Sequence, residues 1–441
     1  MKPLRRVLPP RRQRGMATLV VVMILFFIIS LVAAYTNRNL IFEQRTSANQ
    51  YRSTQALEAA EAGVEWALAL LNHQRITAAC LTSVAPADTS YRQRYIVTDP
   101  LTGNLTPRPK AGGGVRSQMC VLNGAQWSCS CPEDVDPVLA VPAGGGVYPA
   151  FRVRFEQIGV VPPVGAPSQP GVIRLNVVGC TRLDATCLDF DGQGVTNEGR
   201  AAVSVLVALT GNIAGPPAAA LLAREGIDFG GAAASAYNTS PADSGITVQA
   251  GGVVNPVGLV LASTPGTPAL ASVVALDPAL NLAPAAPFSA QDRMFASVFN
   301  MKPATFKAQP AAVLLDCGGG TCGADALRTA VAMNPGRPIW VQGHLAVDTA
   351  GDIGSAAAPV LLVVEGDLTF PTPASIYGLV YVRTAAWATS GAGQVQGAVV
   401  AEGSIVGAGT TTFVHDVDLL ARLRGSAGSF VRVPGSWKDY P

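Results

Sequence analysis

Charge and histidine are both scarce in this 441-residue chain, which is 14% charged and holds three histidines. His73, His344 and His415 stand far apart, without the spacing that a zinc site or a nucleophilic triad uses. The glycine-rich stretches AGGGV and CGGGT do not open a helix with the lysine of a phosphate loop. No enzyme and no cofactor is legible in these residues. Two further lacks are local. No charge falls between Arg14 and Arg38, and no proline between residues 16 and 72. The first excludes an ordinary solvated segment, and the second permits one uninterrupted helix.

What is present there is MATLVVVMILFFIISLVAAYTN, Met16 to Asn37. As a helix rising about 1.5 Å per residue it spans a hydrocarbon core of about 30 Å. A removable secretory signal has small residues after its apolar run, whereas here the small-residue junction, Gly15 then Met16, precedes it. Lys2, Arg5, Arg6, Arg11, Arg12 and Arg14 precede the span with no acid among them, so the N-terminus is expected to stay cytoplasmic. A cut after Gly15 removes those six cations, leaving 25 against 29 acids, a net charge of −4. That balance argues against nucleic acid as a partner. The same helix is expected to run on to residue 72, roughly 85 Å in all. Leu57, Ala60, Val64, Ala67, Leu68 and Leu71 give its distal half an apolar stripe, while Arg38 to Gln55 is largely polar and lacks one, with a solvated stalk as the less favoured reading.

The basic leader ending in Gly15, the apolar run from Met16 and the helix closing in EAAEAGVEWAL resemble the PilX N-terminal family of type IV pilus assembly proteins. The resemblance implies cleavage after Gly15 by a prepilin peptidase, methylation of the Met16 amino group, and assembly with other pilins and minor pilins on an inner-membrane platform. The helix face that spans the lipid bilayer, with Met16, Val20, Phe26, Phe27 and Tyr35, would be the assembly surface. Most pilins carry glutamate five positions after the cut, where this chain has Val20. A carboxylate in hydrocarbon costs about 3 kcal/mol unless partnered, so Val20 removes both the cost and the pairing. The tip pseudopilin of type II secretion similarly lacks that acid, which implies a rare or terminal position.

The chain reads as α+β. After the helix, YPAFRVRFEQI, GVIRLNVVGC and GRAAVSVLVAL alternate as half-buried strands and suggest a small antiparallel-sheet head over residues 73–212. Eight cysteines suit an oxidising compartment. Cys180 with Cys187 and Cys317 with Cys322 are expected to close local loops. Cys129 and Cys131 are too close to pair with each other, and Cys80 and Cys120 are their candidates, with the connectivity open. Metal is the less favoured use of these thiols. Asp189, Asp191 and Gly192 form part of a calcium-loop pattern without its later acid; a solvated turn is the plainer reading.

Beyond the linker GNIAGPPAAA, residues 217–441 read as a β-rich, solenoid-like domain with a helical insertion at about 289–334. Residues 360–378, 379–397 and 398–416 are three 19-residue repeats whose ends align as Ile376-Tyr377-Gly378, Val395-Gln396-Gly397 and Val414-His415-Asp416. One such coil cannot bury its own inner face, so the repeat argues for stacked coils, with a meander as the alternative. Ser289 with Asp292 is placed to cap a helix, GADALRTAVAMNPG forms another, and Trp437 and Tyr440 are expected to cover the last coil. The function expected is a minor pilin-like subunit at a filament tip or initiation complex, its body periplasmic and then surface-exposed, with a surface-binding role beyond that. A membrane-anchored binding protein that never enters a filament is the alternative. An envelope polysaccharide enzyme ranks third and would need clustered carboxylates on one sheet face.

Overall fold

The computed structural model describes residues 14–99, 102–144, 146–158, 170–191, 198–211, 213–281, 283–285 and 288–439, with side chains from residue 18 onward. Its first element, α1 (Arg14–Leu71), is one 58-residue helix, roughly 87 Å long at 1.5 Å per residue. No proline interrupts it, and the alanine-rich ALEAAEAGVEWALALL has high helix propensity. The helix ends at Asn72, whose side-chain amide donates to the Leu68 carbonyl at 3.1 Å.

The last third of α1, from about Arg52, lies on a six-stranded antiparallel sheet. Spatial order is Gly428–Arg432, Arg200–Gly211, Val172–Cys180, Ala150–Glu156, Ser117–Asn123 and Gln126–Ser130. The three strands expected from alternation are adjacent at its centre. Phe151, Val153 and Phe155 point inward with Ile173, Leu175, Val177, Val203, Val205 and Val207, against Ala60, Val64, Ala67 and Leu71 of α1. The helix approaches closely because glycine lies beneath it. A Cβ at Gly179 would sit 2.2 Å from the Ala56 carbonyl oxygen, and one at Gly199 would sit 2.4 Å from that of Arg52. A short helix, α2 (Tyr91–Tyr95), follows, opened by a capping box between Ser90 and Gln93.

The sixth strand departs from expectation. Residues of the closing segment do not cover a coil: Phe430 pairs with Leu209 in the head sheet, and Lys438 forms a bridge with Ser204 farther along. Trp437 lies beside Glu58, Glu61 and Glu65 of α1. The physical reason is the free edge of Arg200–Gly211, a 12-residue strand whose outward N–H and C=O groups need a partner. Tyr440 lies outside the described residues.

From Leu221 to His415 the paired strands are parallel. Val360–Val364, Ser375–Val382 and Gln394–Ala401 stack in register, Leu362 on Val380 on Val399, and Ile376 on Val395 on Phe413. The 19-residue repeat is therefore the offset from one strand to the same position in the next, whereas a meander would pair them antiparallel. Gly378 and Gly397 stack in this register because a Cβ at Gly378 would lie 1.9 Å from the Val360 oxygen, and one at Gly397 2.0 Å from the Gly378 oxygen. Where the third repeat has Asp416, the coil ends and a helix begins. A second, smaller parallel sheet, containing Ala386–Thr389 and Ser404–Gly407, closes the other side, and Trp387, Val395, Val399, Ile405 and Phe413 fill the space between.

The chain enters this stack in its middle. Leu221–Ala223 lies directly on Val399–Ala401, then Val248–Ala250 and Val273–Val274 extend the stack away from it. The chain crosses the outside through α3 (Ala290–Phe299) and α4 (Pro303–Lys307), and resumes at the opposite end with Val313–Gly323. Ser289 caps α3 by accepting from the Asp292 N–H at 3.0 Å. Met294, Phe295, Phe299 and Phe306 cover the outer sheet face at Trp340, Val363, Leu379 and Tyr381. The expected helical insertion thus divides: α5 (Ala324–Met333) instead sends Ala324 and Leu327 into the inner core. The last helix, α6 (Val417–Ser426), covers the same outer face with Leu420 and Leu423 and leads into the closing strand.

Candidate functional site: the N-terminal helix and its dock

Gly15 and Met16 lie in the first turn of α1, and their side chains are outside the described residues. Beyond them the helix carries its apolar side chains outward: Val20 is 52% exposed, Phe26 71%, Phe27 68% and Tyr35 68%. Every described residue from Thr18 to Thr54 is exposed. Burial begins at Gln55 and Ala56, so about 37 residues, roughly 55 Å, project from the body. The polar side chains in this stretch are partly self-satisfied. Thr36 donates to the Val32 carbonyl at 2.8 Å and Thr46 to that of Phe42 at 2.9 Å, which hides hydroxyls along an apolar helix. Thr18–Leu71 contains a segment long and apolar enough to cross a membrane, and that segment has no buried residue. An N-terminal apolar helix of this kind is a membrane anchor in form.

The dock is fixed by groups the sequence did not single out. Asn72 is buried and forms two hydrogen bonds with the main chain of Phe430: it donates to the carbonyl and accepts from the N–H, both at 2.8 Å. The amide thereby mimics a strand residue and ties the helix end to the closing strand. Arg92 donates from Nε to the Leu71 carbonyl (2.9 Å), from Nη1 to Gly336 (3.1 Å) and from Nη2 to Gly428 (3.1 Å), lying 5.0 Å over the Phe430 ring. These acceptors belong to the helix, the parallel-sheet body and the closing strand. Burial pushes the Arg92 guanidinium down to about 9, and Arg337 adds to the effect; burial alone pushes Arg337 down to about 10. His73, at the helix exit, is held below its ordinary value by burial and by Arg337. No local spacing signals these roles, because the bonds of Asn72 to Phe430 and of Arg92 to Gly336 and Gly428 join residues more than 200 positions apart.

The remaining predicted residues have structural settings. Disulfides join Cys80 to Cys131, Cys120 to Cys129, Cys180 to Cys187 and Cys317 to Cys322, which answers the connectivity left open. Asp189 accepts from the Asp191 N–H at 3.3 Å, and the Asp191 carboxylate lies 3.8 Å from Arg154, so the calcium candidates form a surface turn facing a cation. His415 is buried, with Nε2 at 2.8 Å from the Pro217 carbonyl and Nδ1 against Asp243, and it secures the linker to the stack. Asp416 caps α6, accepting from Leu419 at 2.9 Å. His344 Nδ1 accepts from the Asp367 N–H at 3.0 Å. Among the described residues no three His, Cys, Asp or Glu side chains gather as a metal-binding group.

Comparison with known proteins agrees at the helix. Residues 14–65 match the family described as PilX N-terminal. No curated protein matches the chain. A solved structure that aligns with it is the competence-associated pilin ComZ from Thermus thermophilus, at 13% identity, covering 88% of this chain and 97% of that one. Its TM-score is 0.23, and a likeness of that score carries no weight. The match covers the helix: residues 14–65 are similar to the N-terminal segment of PilX-type proteins, and here they lie within one long helix that is apolar and exposed at its start and packed on an α+β head at its end.

Proposed function

We propose that this chain is a minor pilin, cut after Gly15 by a prepilin peptidase and methylated on Met16. Its N-terminus is cytoplasmic and its body periplasmic, held at the inner membrane by α1 until an assembly platform inserts it among other pilins. The observation that carries this reading is the 58-residue helix, exposed from Thr18 to Thr54 and docked over its last third. An apolar helix face that no described residue covers finds partners in lipid or in neighbouring helices of the same kind.

Val20 supports a terminal position. Without a carboxylate there, the subunit has nothing to pair with the amino group of a neighbour, so a place with neighbours on one side suits it best. The size of the body supports the same placement, because two β layers flanked by helices leave little room for lateral stacking along a filament shaft. The parallel stack then forms the distal surface, which is displayed for contact with an external surface. The absence of an acid at Val20 equally fits the tip pseudopilin of type II secretion.

Quantitative mass spectrometry of sheared pili, with immunogold labelling, tests the proposal. A few copies per filament, labelled at ends, and loss of piliation in a deletion strain are expected. Absence from the filament fraction together with normal piliation would favour a static anchored binding protein.

A further inference from the structure

A cleft of about 580 Å³ lies between the head and the parallel-sheet body. Arg75, Arg92, Arg108 and Arg337 line it, and among the described residues no aspartate or glutamate does. None of the four forms an ion pair with a described residue, although arginine that leaves solvent normally takes a carboxylate partner. Arg92 forms the buried floor, its donors committed to three carbonyls. The others are only partly committed. Arg75 donates Nε to Ala332 and Nη1 to Pro86 and Asp88 carbonyls, Arg337 donates Nε to Ala311 and Nη1 to the Asn334 side chain, and Arg108 donates only Nε, to Gln93. Backbone bonds therefore hold these guanidiniums in place while Nη2 of Arg75, Nη2 of Arg337 and both Nη groups of Arg108 keep N–H donors without a described acceptor.

Fixed guanidinium forks without counter-charge, around a cavity larger than a phosphate group, are the arrangement that recognises planar or tetrahedral oxyanions. We propose that this cleft binds a multiply charged oxyanion, a phosphate or sulfate group, through the free N–H donors of Arg75, Arg108 and Arg337. Burial lowers the proton affinity of Arg92 and Arg337, with repulsion from Arg337 a smaller cause at Arg92, and a bound anion would offset both effects. Because the cleft walls come from both units, a bound anion would also brace the body against the head.

Isothermal titration of the full chain in detergent, at matched ionic strength, tests this with inorganic phosphate and sulfate against chloride. Saturable binding of phosphate or sulfate is expected, weakened about tenfold by Arg108→Gln, the loss of one charge-assisted contact. Arg108→Lys, which keeps the charge and loses the fork, should fall between, and Arg174→Gln, outside the cleft, should match the parent. A parallel arm replaces the ions with phosphatidylglycerol vesicles and with phosphatidylcholine vesicles. Phosphatidylglycerol binding that Arg108→Gln weakens, without a response to free phosphate, would assign the same phosphate chemistry to a lipid headgroup. No saturable binding in either arm, or binding that Arg108→Gln and Arg174→Gln alter equally, would overturn the proposal.

Discussion

Gly179→Ala should be one of the most damaging single-methyl additions available in the head. The added Cβ would fall 2.2 Å from the Ala56 oxygen and 2.5 Å from the Ala60 nitrogen. Both are main-chain atoms of α1, so no side chain can rotate away, and an ordinary contact requires the helix to lift by about 1 Å. Lifting it loosens Ala56, Ala59, Ala60 and Val64, all buried on the sheet. Overpacking costs typically 1–3 kcal/mol, and a clash confined to main chain belongs at the upper end, about 3 kcal/mol. Trp66 reports the change, because its ring lies 5.5 Å from Phe151 and 5.7 Å from Tyr91 at the same interface. Urea unfolding of the full chain in detergent, followed by tryptophan fluorescence, gives the loss. Gly112→Ala, with nothing within 4 Å of its new Cβ, is the control and should stay within about 0.5 kcal/mol. A Gly179→Ala effect no larger than the control's would refute the close helix-to-sheet approach.

Other substitutions probe the remaining joints. Asn72→Ala removes two buried hydrogen bonds to Phe430 and leaves its N–H and carbonyl unpaired, a loss of about 2–3 kcal/mol that hydrogen exchange should register first at Phe430. Replacing Cys80 and Cys131 by alanine should cost about 4 kcal/mol and replacing Cys317 and Cys322 about 2 kcal/mol, because the first pair closes a 51-residue separation and the second a separation of 5. Unfolding midpoints in the reverse order would contradict that account. Glu402 is buried, and burial raises its carboxyl above the usual 4.5 despite Arg383, which bonds it at 3.0 Å. A carboxyl with a raised folded value gains stability as pH falls through that value toward 4.5, so the wild type should gain on Glu402→Gln between pH 8 and 4.5. A stability difference that shrinks on acidification would show the opposite sign.

Much of the architecture is legible because it is local. Unbroken helical residues from Met16 to Leu71, with glycine only at Gly63, allow few alternatives to a long helix. The repeats reveal parallel stacking because Gly378 and Gly397 must recur wherever one main chain passes close to the next. The order of the coils is not legible in the same way. Leu221–Ala223 and Val399–Ala401 are both short apolar strands, and a buried parallel strand shows the same pattern whichever neighbour it has. The closing strand is hidden for a related reason: SFVRV alternates as any edge strand does, and nothing near it names Arg200–Gly211 as its partner. The dock was likewise visible only in part. Alanine and valine at helical spacing mark the face, but Asn72 and Arg92 acquire their roles from carbonyls and amides that only the fold brings near.

The mature N-terminus tests the central claim most directly. Intact-mass and N-terminal peptide mass spectrometry of the protein from its native membrane should find a chain that starts at Met16 and carries one added methyl group. A host without prepilin peptidase should retain Lys2 through Gly15. A chain starting at or before Lys2 in the wild-type host, or one cut beyond Ala34 so that the apolar helix is lost, would contradict assembly through that helix.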